Sequence, residues 1–547
     1  MTLNSRLRDR AFRWIADDPD PNTKAELQQL AAAAMGGRPG AVEELDDRMN
    51  GTLTFGTAGL RGPVRAGSNG MNRAVVVQAT AGVAAWLRHK GNIGGPVVVG
   101  RDARHGSTDF AQAAAEVLTA AGFTVYTLPG PLPTPITAFL VRELGALAGI
   151  QITASHNPPA DNGYKVYTAD GAQIVPPDDR LIEAGIRDAP AARSVPTAPG
   201  ALPVTDAQVD AYLTRAAALP RGTARDLRIA LTPMHGVGGA TAVDVLRRAG
   251  FADVHLVAEQ AEPDPDFPTV AFPNPEEPGA ADLLLRHASD VDADLAVALD
   301  PDADRCALGI RTADGWRMLS GDETGALLGD HVLSTLDRLQ HPDPLVASTI
   351  VSSSLLGTIA AAHGARHVET LTGFKWLMRA GAGLVFAYEE ALGLAVDPEA
   401  VRDKDGISAA VLAADLAATA KAAGNDLATK LDELAVRHGV HLTEQLSLRF
   451  DDVARIRPMV ARLRQAPPAE LAGVAVTADN PAGAPDILRL RADGLRVVVR
   501  PSGTEPKVKA YLEVVSPPAA DVAAARAGAG ERMATLRAAV AELLDSH

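Results

Sequence analysis

Short apolar runs alternate with helix-like segments over most of the chain. Runs rich in Val, Leu, Ile and Ala are typical of buried strands, and longer segments with apolar residues three and four positions apart are typical of helices. Strands are predicted at residues 97–100, 123–126, 147–153, 227–231, 295–299, 345–351 and 384–387, and helices at 109–121 and 241–249. The pattern restarts twice along the chain, which predicts successive layers of parallel α/β structure.

Both ends of the chain depart from this alternation. Residues 25–35 are rich in Leu, Ala and Gln and predict a helix that starts near Pro21. In the last hundred or so residues, strands are predicted at 442–450, 487–490 and 495–499, followed by a closing helix at 519–544. The proline-rich stretch 189–203 is interpreted as a linker or a long surface loop.

Length and composition narrow the class of protein. A chain of 547 residues is too long for one core and predicts roughly three to five domains. The formal charge of −15 leaves no basic excess to neutralise a nucleic-acid backbone, so nucleic acid is excluded as a partner. A single cysteine, Cys306, excludes an intramolecular disulfide and favours a reducing compartment.

No signal peptide is visible at the N-terminus, and the apolar stretch 408–423 is too short to span a membrane. We therefore expect a cytoplasmic protein with no membrane partner.

Three aspartates alternate in residues 300–305, Asp-Pro-Asp-Ala-Asp-Arg, directly after the predicted strand 295–299. Carboxylates this close repel one another unless a cation lies among them, and ligands of α/β sheets gather at the carboxyl ends of strands. An EF-hand is excluded, because Arg305 and Arg311 stand where its Gly and Glu are needed. The loop predicts a Mg²⁺ site shared with a phosphate, with Arg305 holding phosphoryl oxygens. A solvated acidic turn is the alternative.

A serine follows another predicted strand, in residues 153–158, Thr-Ala-Ser-His-Asn-Pro. A serine before a proline turn is usually a cap or a turn former. A nucleophilic serine needs a proton acceptor, and a leaving serine needs a donor. His156 is adjacent, and Lys165 is expected to return to the site after a tight turn at residues 162–165. The Gly-x-Ser-x-Gly elbow of α/β-hydrolases is absent from this segment. Together with the metal loop, Ser155 suggests phosphoryl transfer.

Residues 500–507, Arg-Pro-Ser-Gly-Thr-Glu-Pro-Lys, follow the predicted strand 495–499. The glycine allows backbone N–H groups to turn inward as an anion nest, and Arg500 can bind two oxygens at once. A basic hairpin is the alternative for this segment alone. A Walker loop is excluded, because no Gly-Lys-Ser/Thr sequence occurs. The glycine-rich segment 236–239 is interpreted as a strand-to-helix turn, not as a dinucleotide site.

These three segments resemble the phosphoserine, metal and phosphate-binding loops of the α-D-phosphohexomutase superfamily, in the family's order and across nearly the whole chain. Residues 55–62, Phe-Gly-Thr-Ala-Gly-Leu-Arg-Gly, resemble its N-terminal active-site motif, in which Arg61 takes the basic role. The resemblance implies a four-domain α/β protein around a central cleft. Three similar α/β/α domains with mixed sheets would precede a smaller α+β domain. The expected boundaries are 1–205 with an N-terminal helical extension, 206–325, 326–440 and 441–547.

The resemblance also implies roles for individual residues. Ser155 would carry the transferable phosphate, and one of its oxygens would join Asp300, Asp302 and Asp304 in holding Mg²⁺. His156 and Lys165 would be the acid/base helpers. The expected substrate-binding residues are Arg305, Gly373, Lys375, Glu389, Glu390, Arg500, Ser502, Gly503, Thr504 and Lys507; those of the 500–507 loop would grip the phosphate that does not react.

The sugar-reading loop departs from the common pattern of the family. Many members show Gly-Glu-x-Ser-Gly-His, whereas residues 388–393 read Tyr-Glu-Glu-Ala-Leu-Gly and lack the serine and the histidine. With residues 373–376, Gly-Phe-Lys-Trp, and 403–406, Asp-Lys-Asp-Gly, the loop resembles the branch of phosphoglucomutase/phosphopentomutase enzymes. Glu389 and Glu390 could accept hydrogen bonds from sugar hydroxyls, and Lys375 could meet a phosphate.

The sequence therefore predicts a phosphosugar mutase that works through phospho-Ser155 and a sugar bisphosphate, which also serves as activator. Phosphate would move between C1 and C6 of a hexose, glucose or mannose; a pentose, between C1 and C5, is the alternative. A Mg²⁺-dependent sugar phosphatase and a non-catalytic sugar-phosphate sensor are the rivals. Residues 500–507 are expected to close over the substrate as a lid, because water would hydrolyse the phosphoserine. A monomer or a homodimer is expected.

Overall fold

The computed structural model describes residues 3–54, 59–450, 456–481, 483–501 and 507–545. The chain divides into two compact units. The first comprises Met1–Gly309, Trp316–Met318 and Gly393–Asp415, and the second comprises Ile310–Gly315, Leu319–Leu392 and Leu416–His547.

The strands are numbered in chain order. They are β1 (Leu60–Pro63), β2 (Pro96–Arg101), β3 (Thr124–Thr127), β4 (Ala148–Ile152), β5 (Asp161–Thr168), β6 (Leu202–Pro203), β7 (Ile229–Thr232), β8 (Val254–Leu256), β9 (Leu295–Leu299), β10 (Cys306–Thr312), β11 (Gly315–Met318), β12 (Leu345–Thr349), β13 (Arg366–Thr370), β14 (Leu384–Glu389), β15 (Gly393–Ala395), β16 (Val440–Arg449), β17 (Glu470–Leu471), β18 (Val474–Ala475), β19 (Thr477–Ala478), β20 (Leu488–Ala492), β21 (Leu495–Pro501) and β22 (Lys507–Ser516).

The helices follow the same convention. They are α1 (Ser5–Asp17), α2 (Pro21–Met35), α3 (Ala41–Met49), α4 (Arg73–His89), α5 (Ser107–Ala120), α6 (Thr134–Glu143), α7 (Asp178–Asp188), α8 (Asp206–Ala217), α9 (Gly238–Arg248), α10 (Asp282–Asp290), α11 (Gly321–Thr335), α12 (Leu355–Ala362), α13 (Phe374–Leu377), α14 (Gly406–Ala422), α15 (Leu427–His438), α16 (Ile456–Gln465) and α17 (Val522–Asp545).

The first sheet of unit 1 has the order β1-β5-β4-β2-β3-β6. It is mixed, since β2 pairs parallel with β3 and β4 whereas β5 pairs antiparallel with both β4 and β1. Val97, Val99 and Ile150 on its strands are buried against Val83 and Leu118 of the helices α4 and α5. The proline-rich stretch expected to be a linker contributes the short edge strand β6, which pairs with β3.

The predicted tight turn at residues 162–165 is wrong, because these residues lie within β5. Gly163 pairs with Arg61 of β1, and a Cβ atom there would lie 2.5 Å from the carbonyl oxygen of Thr153. The glycine therefore serves a close backbone approach between strands. The consequence for the site is that Lys165 projects from a strand.

The second sheet of unit 1 contains strands in the order β10-β9-β7-β8. β7 pairs parallel with β8 and β9, and β10 returns antiparallel to β9. All five residues of β9 are buried, as the unbroken apolar run Leu-Ala-Val-Ala-Leu predicts. Cys306 begins β10 and is fully buried.

The N-terminal extension forms the three helices α1, α2 and α3, which bury a small core of their own. Leu7 of α1, Leu27 of α2 and Leu45 of α3 contribute to this core. Side chains fix two of the helix starts, because Asn4 accepts a hydrogen bond from the amide of Leu7 and Asp20 accepts one from that of Asn22.

In unit 2, β12 pairs parallel with β13 on one side and β14 on the other. The helix α11 begins with a capping box between Ser320 and Glu323. Together with the two sheets of unit 1, this layer matches the predicted repeated α/β architecture.

The C-terminal part of unit 2 is built on an antiparallel sheet of order β16-β22-β21-β20-β19. Its core joins Val497 and Leu512 of the central strands to Met533 and Leu536 of α17. This is the predicted smaller α+β domain with a closing helix, which begins at Val522 instead of residue 519.

Among the residues that the structure describes, no single helix combines the length and the apolar composition of a membrane span; only the bent pair α14 and α15, taken together, passes that test.

Candidate active site

The acidic loop leaves the carboxyl end of β9 and folds its three aspartates toward one point. Asp300, Asp302 and Asp304 are fully buried, and each offers a carboxylate oxygen within 4.8 Å of those of the other two. A hydrogen bond from the amide of Ala303 to the carbonyl of Asp300 closes the turn, with Ala303 in the left-handed region at φ 54°. Alternate spacing within one tight turn thus gathers the carboxylates, and the solvated acidic turn is excluded by their burial.

These carboxylates fit a divalent cation. Asp302 Oδ1 and Asp304 Oδ1 are buried and have no hydrogen-bond partner among the described residues, so both oxygens remain open to a ligand. Hard cations such as Mg²⁺ prefer carboxylate oxygens of this kind. Among the residues that the structure describes, these three aspartates form the group that could hold a metal ion.

The three carboxyl groups differ in their electrostatic surroundings. Burial, followed by repulsion from Asp302 and Asp304, raises the pKa of Asp300 well above its usual range. Burial also raises the pKa of Asp304, but the cations of Lys165, Lys404 and Arg305 outweigh it and hold the pKa well below normal. The ionised form of Asp300 is therefore disfavoured in this group, and a bound cation would stabilise it.

Ser155 lies against this group. Its Oγ donates to Asp300 Oδ2 at 3.0 Å, although 145 residues separate the two in sequence. Ser155 is 1% exposed and holds the left-handed conformation at φ 55°, which costs a non-glycine residue about 1–3 kcal/mol. Its amide donates to Thr153 Oγ1 at 2.9 Å, which helps to hold this turn. The strained backbone directs the hydroxyl at the acidic group.

His156 and Lys165, the predicted acid/base helpers, occupy different environments. His156 Nδ1 lies 3.4 Å from Ser155 Oγ, and burial, with the nearby cations Arg305 and Arg61, holds the pKa of His156 well below its usual range. Lys165 Nζ donates to Asp302 Oδ2 at 2.7 Å and to Asp304 Oδ2 at 2.8 Å. Burial lowers the pKa of Lys165, but the two aspartates outweigh burial and raise it. At neutral pH, His156 is therefore uncharged and Lys165 is charged, and burial and the neighbouring charges move both pKa values away from neutrality.

Two of the arginines proposed from the sequence also contact these loops. Arg61, on β1, donates to Asn157 Oδ1 at 3.3 Å in the serine loop. The backbone amide of Arg305 donates to Asp300 Oδ1 at 3.0 Å, and its guanidinium lies 3.6 Å from Glu276. The proline-rich loop that carries Glu276 thus reaches the site.

Sequence reasoning missed three residues that hold these loops. Arg104 donates to the carbonyl oxygens of Ser155 at 2.5 Å and Asn157 at 2.7 Å, and also contacts those of Pro158 and Asp161. Its position just beyond β2, at the same sheet edge as the serine loop, was the signal that could have found it.

The other two missed residues contact the acidic loop. Thr134, at the start of α6, donates through Oγ1 to Asp302 Oδ2 at 2.6 Å. Lys404 is buried, with Nζ 3.3 Å from Asp304 Oδ2. In the sequence, residues 403–406 indicate only the family branch; their density of charge before an apolar helix is the signal that could have found Lys404.

The predicted sugar-reading residues lie in unit 2. Glu389 ends β14, and Glu390 Oε2 accepts hydrogen bonds from Thr349 Oγ1 at 3.0 Å and Ser352 Oγ at 3.1 Å. Burial, then the charges of Glu389 and Asp322, raise the pKa of Glu390 to about 7. The carboxylate of Glu390 is thus bound to side chains of its own protein framework.

The remaining predicted residues are also in unit 2. Gly373 has φ 110° and precedes α13, whose Lys375 is buried. Arg500 and Lys507 lie on the paired strands β21 and β22, on either side of the predicted phosphate loop. Ser502, Gly503 and Thr504 lie outside the described residues, as do residues 55–58 of the N-terminal motif.

Family profiles match the chain in four consecutive segments. "Phosphoglucomutase/phosphomannomutase, alpha/beta/alpha domain I" matches residues 52–193, domain II matches 210–313, and domain III matches 320–436. The C-terminal domain of the same family matches residues 459–527.

Individual relatives agree with these matches. A Haemophilus influenzae protein named "Probable phosphomannomutase" is 42% identical over 81% of this chain and 93% of its own length. A mouse phosphopentomutase is 33% identical over 94% of this chain and 91% of its own. A Staphylococcus aureus phosphoglucomutase is 32% identical over 86% of this chain and 91% of its own.

A solved structure supports the fold. The phosphoglucomutase/phosphomannomutase family protein from Burkholderia thailandensis superimposes with a TM-score of 0.69 at 22% identity, over 90% of this chain and 97% of that chain. The predicted family and fold class are confirmed. The chain belongs to the phosphoglucomutase/phosphomannomutase family of the α-D-phosphohexomutase superfamily and is an isomerase of the phosphomutase type.

Proposed function

We propose that this phosphomutase interconverts the 1- and 6-phosphates of a hexose, glucose or mannose, through phospho-Ser155 and a hexose 1,6-bisphosphate. The observation that carries the proposal is the 3.0 Å contact between Ser155 Oγ and Asp300 within a buried acidic group. Relatives that are named for hexose phosphates support the choice of sugar, foremost the 42% identical protein named for mannose phosphate.

In the proposed reaction, the free hydroxyl of the hexose monophosphate attacks the phosphorus of phospho-Ser155. The new sugar O–P bond forms as the Ser155 Oγ–P bond breaks, so that the sugar becomes a bisphosphate. After the bisphosphate reverses its orientation, Ser155 Oγ takes back the other phosphoryl group, and the isomeric monophosphate leaves. Phosphate is neither gained nor lost in the cycle, and positioning with electrostatic stabilisation supplies most of the rate.

Each residue of unit 1 has a task in this scheme. Neutral His156 accepts the proton of the attacking hydroxyl, and the Lys165 ammonium supplies a proton to Ser155 Oγ as it leaves. Arg61 and Arg305 bind oxygens of the transferring phosphoryl group. Asp300, Asp302 and Asp304 would hold Mg²⁺, which neutralises negative charge on that group when bound.

Residues of unit 2 identify the substrate in this proposal. Glu389, within the segment 388–392, accepts hydrogen bonds from sugar hydroxyls. Arg500, Ser502, Gly503, Thr504 and Lys507 would bind the phosphate that does not react, with Gly373 and Lys375 as further contacts.

The test is a substrate panel. We expect kcat/KM to be highest for glucose 1-phosphate or mannose 1-phosphate, with ribose and deoxyribose 1-phosphates as competitors and the matching bisphosphate as activator. Intact mass should show one phosphate on the wild-type chain and none on Ser155→Ala, which should also lose turnover. A preference for a pentose 1-phosphate would overturn the hexose assignment. Inorganic phosphate released faster than isomer would indicate a phosphatase, and turnover by Ser155→Ala would overturn the phosphoserine mechanism.

A further inference from the structure

Three consecutive serines, Ser352, Ser353 and Ser354, form a turn between β12 and α12 of unit 2, and we call them the serine turn. Ser352 and Ser353 are buried, although serines are mostly exposed in folded proteins. Each hydroxyl is hydrogen-bonded, but the partners lie in two different directions. The serine turn therefore connects two parts of unit 2.

On one side, the serine turn contacts an ion cluster of the C-terminal sheet. Glu513, on β22, accepts hydrogen bonds through Oε1 from Ser353 Oγ at 2.8 Å and from the amide of Ser354 at 2.7 Å. Arg496, on β21, lies 2.8 Å from Glu513 Oε2, donates to Glu369 Oε1 at 2.9 Å and also donates to the carbonyl oxygen of Ser352. One guanidinium thus holds two carboxylates and the backbone of the turn.

This ion cluster is buried and closely paired. The side chains of Arg496 and Glu513 are 8% and 3% exposed. Burial raises the pKa of Glu513, but the hydrogen bond from His441 and the charge of Arg496 outweigh it and bring the pKa to about 2. A buried charged pair with satisfied partners has little freedom to rearrange, so it is a firm support for what it touches.

On the other side, the serine turn holds the sugar-reading segment 388–392. Ser352 Oγ donates to Glu390 Oε2 and also accepts from the amide of Glu390 at 3.2 Å. Asp322 Oδ1 accepts from both the amide of Ser353 at 2.7 Å and the hydroxyl of Tyr388 at 2.9 Å. Both ends of the Tyr388–Glu390 segment are therefore fastened to the serine turn.

We propose that Arg496 and Glu513 are positioning residues for the sugar-reading segment and act on it through the serine turn. The proposal rests on the proposed function, in which Glu389 reads sugar hydroxyls. Neither Arg496 nor Glu513 needs to touch the sugar. A shift in the turn would move Glu390, and with it the adjacent Glu389, by a fraction of an ångström, which is enough to change how two sugars are distinguished.

The readout is a discrimination ratio, defined as kcat/KM for the preferred hexose 1-phosphate divided by kcat/KM for ribose 1-phosphate. Glu513→Gln and Ser353→Ala each weaken the hydrogen bonding between the sheet and the turn, and each should lower this ratio about 3- to 10-fold. The change should appear mainly in KM for the hexose, since Ser155 and the acidic group are untouched.

Arg491 offers a matched control. It contacts the same Glu369 at 3.3 Å, and also Asp479, but among the described residues it makes no hydrogen bond to the serine turn. Arg491→Lys and Arg496→Lys both keep the charge and lose the forked geometry. We expect Arg496→Lys to lower the discrimination ratio and Arg491→Lys to leave it unchanged.

Arg496→Ala could fail to fold, because it strips two buried carboxylates of their counterion. The double-mutant cycle of Ser353→Ala with Glu390→Gln avoids that problem. These two side chains do not contact each other, so an independent action would multiply their losses in kcat/KM. If the serine turn transmits the support, the loss of kcat/KM in the double variant should be smaller than the product of the two single losses by at least about 3-fold.

Two results would overturn the proposal. One is a discrimination ratio that stays the same in Glu513→Gln, Ser353→Ala and Arg496→Lys; the other is a cycle in which the losses multiply. If the wild-type enzyme is active, either result contradicts only the positioning role and leaves the proposed function standing. A wild-type chain that isomerises none of the sugar 1-phosphates would instead contradict the proposed function.

Discussion

The ammonium group of Lys165 donates to Asp302 at 2.7 Å, and both side chains are buried. The same ammonium also contacts Asp304. It therefore neutralises part of the negative charge of the carboxylates to which a divalent ion would bind. Lys165 therefore limits how strongly the acidic group attracts a metal.

Lys165→Met should make the protein depend on a divalent ion for its stability. Removing one partner of a buried ion pair costs about 3–5 kcal/mol, so without a metal the variant should unfold several degrees below the wild type. Mg²⁺ should then raise Tm more for the variant than for the wild type, because binding to the native state alone stabilises it. Thermal unfolding with EDTA and with Mg²⁺ measures both. An equal rise of Tm in the two proteins would contradict this view.

Asp302→Asn should abolish most of the turnover. The substitution replaces an open, buried carboxylate oxygen by an amide and removes a charge from the group that fits a metal. We expect kcat to fall at least about 100-fold, and EDTA to reduce wild-type turnover until Mg²⁺ is added back. Asp290→Asn, at the exposed end of α10, is the control and should keep wild-type kcat. Full turnover in EDTA would exclude the metal.

Arg104→Lys should slow the reaction without unfolding the protein. The guanidinium of Arg104 bonds four carbonyl oxygens of the serine loop, and a lysine cannot reproduce that fork. A displaced Ser155 hydroxyl should lower kcat about 10- to 100-fold. The matched control is Arg73→Lys, because Arg73 pairs with Glu116 at 3.1 Å away from the loop. Steady-state kinetics report the loss of turnover, and Tm reports any loss of stability. An unchanged kcat would show that Arg104 does not position Ser155.

Glu390 should make unit 2 less stable as the pH rises. Burial and two nearby carboxylates raise its pKa from 4.5 to about 7, so the folded state binds this proton more tightly than the unfolded state does. The stabilising proton is therefore present below pH 4.5 and is lost as the pH rises to about 7. The penalty at higher pH is about 2 kcal/mol after allowing for partial solvent contact.

Glu390→Gln carries no such proton, so its Tm relative to the wild type should increase between about pH 5 and 8. Glu399→Gln, whose native side chain is 77% exposed, should show no such trend. A difference in Tm between Glu390→Gln and the wild type that does not vary with pH would contradict the raised pKa.

The candidate site was predictable where its residues lie close together in the sequence. Alternating aspartates after a buried strand, and a serine next to a histidine, indicate a candidate site without any knowledge of distant contacts. Arg104 and Thr134 were not predictable in this way, because their partners lie 51 and 168 residues away in sequence. Their contacts depend on how the sheets of unit 1 bring separate strand ends together.

The α/β layers were predictable for a similar reason. Buried strands such as β9 are unbroken apolar runs, whereas β5 carries Asp, Asn, Lys and Gly and resembles a turn in sequence. Pairing with β1 and β4 overrides that local preference, since backbone hydrogen bonds on both sides stabilise an extended chain regardless of composition. The expected domain boundaries and the closing of residues 500–507 over the substrate stay predictions.

Cys306 lies at the start of β10, is fully buried, and has its pKa raised by that burial. It is the single cysteine of the chain. Thiol reagents attack thiolates that they can reach, so the native protein should resist alkylation. A cysteine engineered at any exposed position would then react alone, which makes the wild-type chain a ready background for fluorescent or spin labels that report motion during turnover.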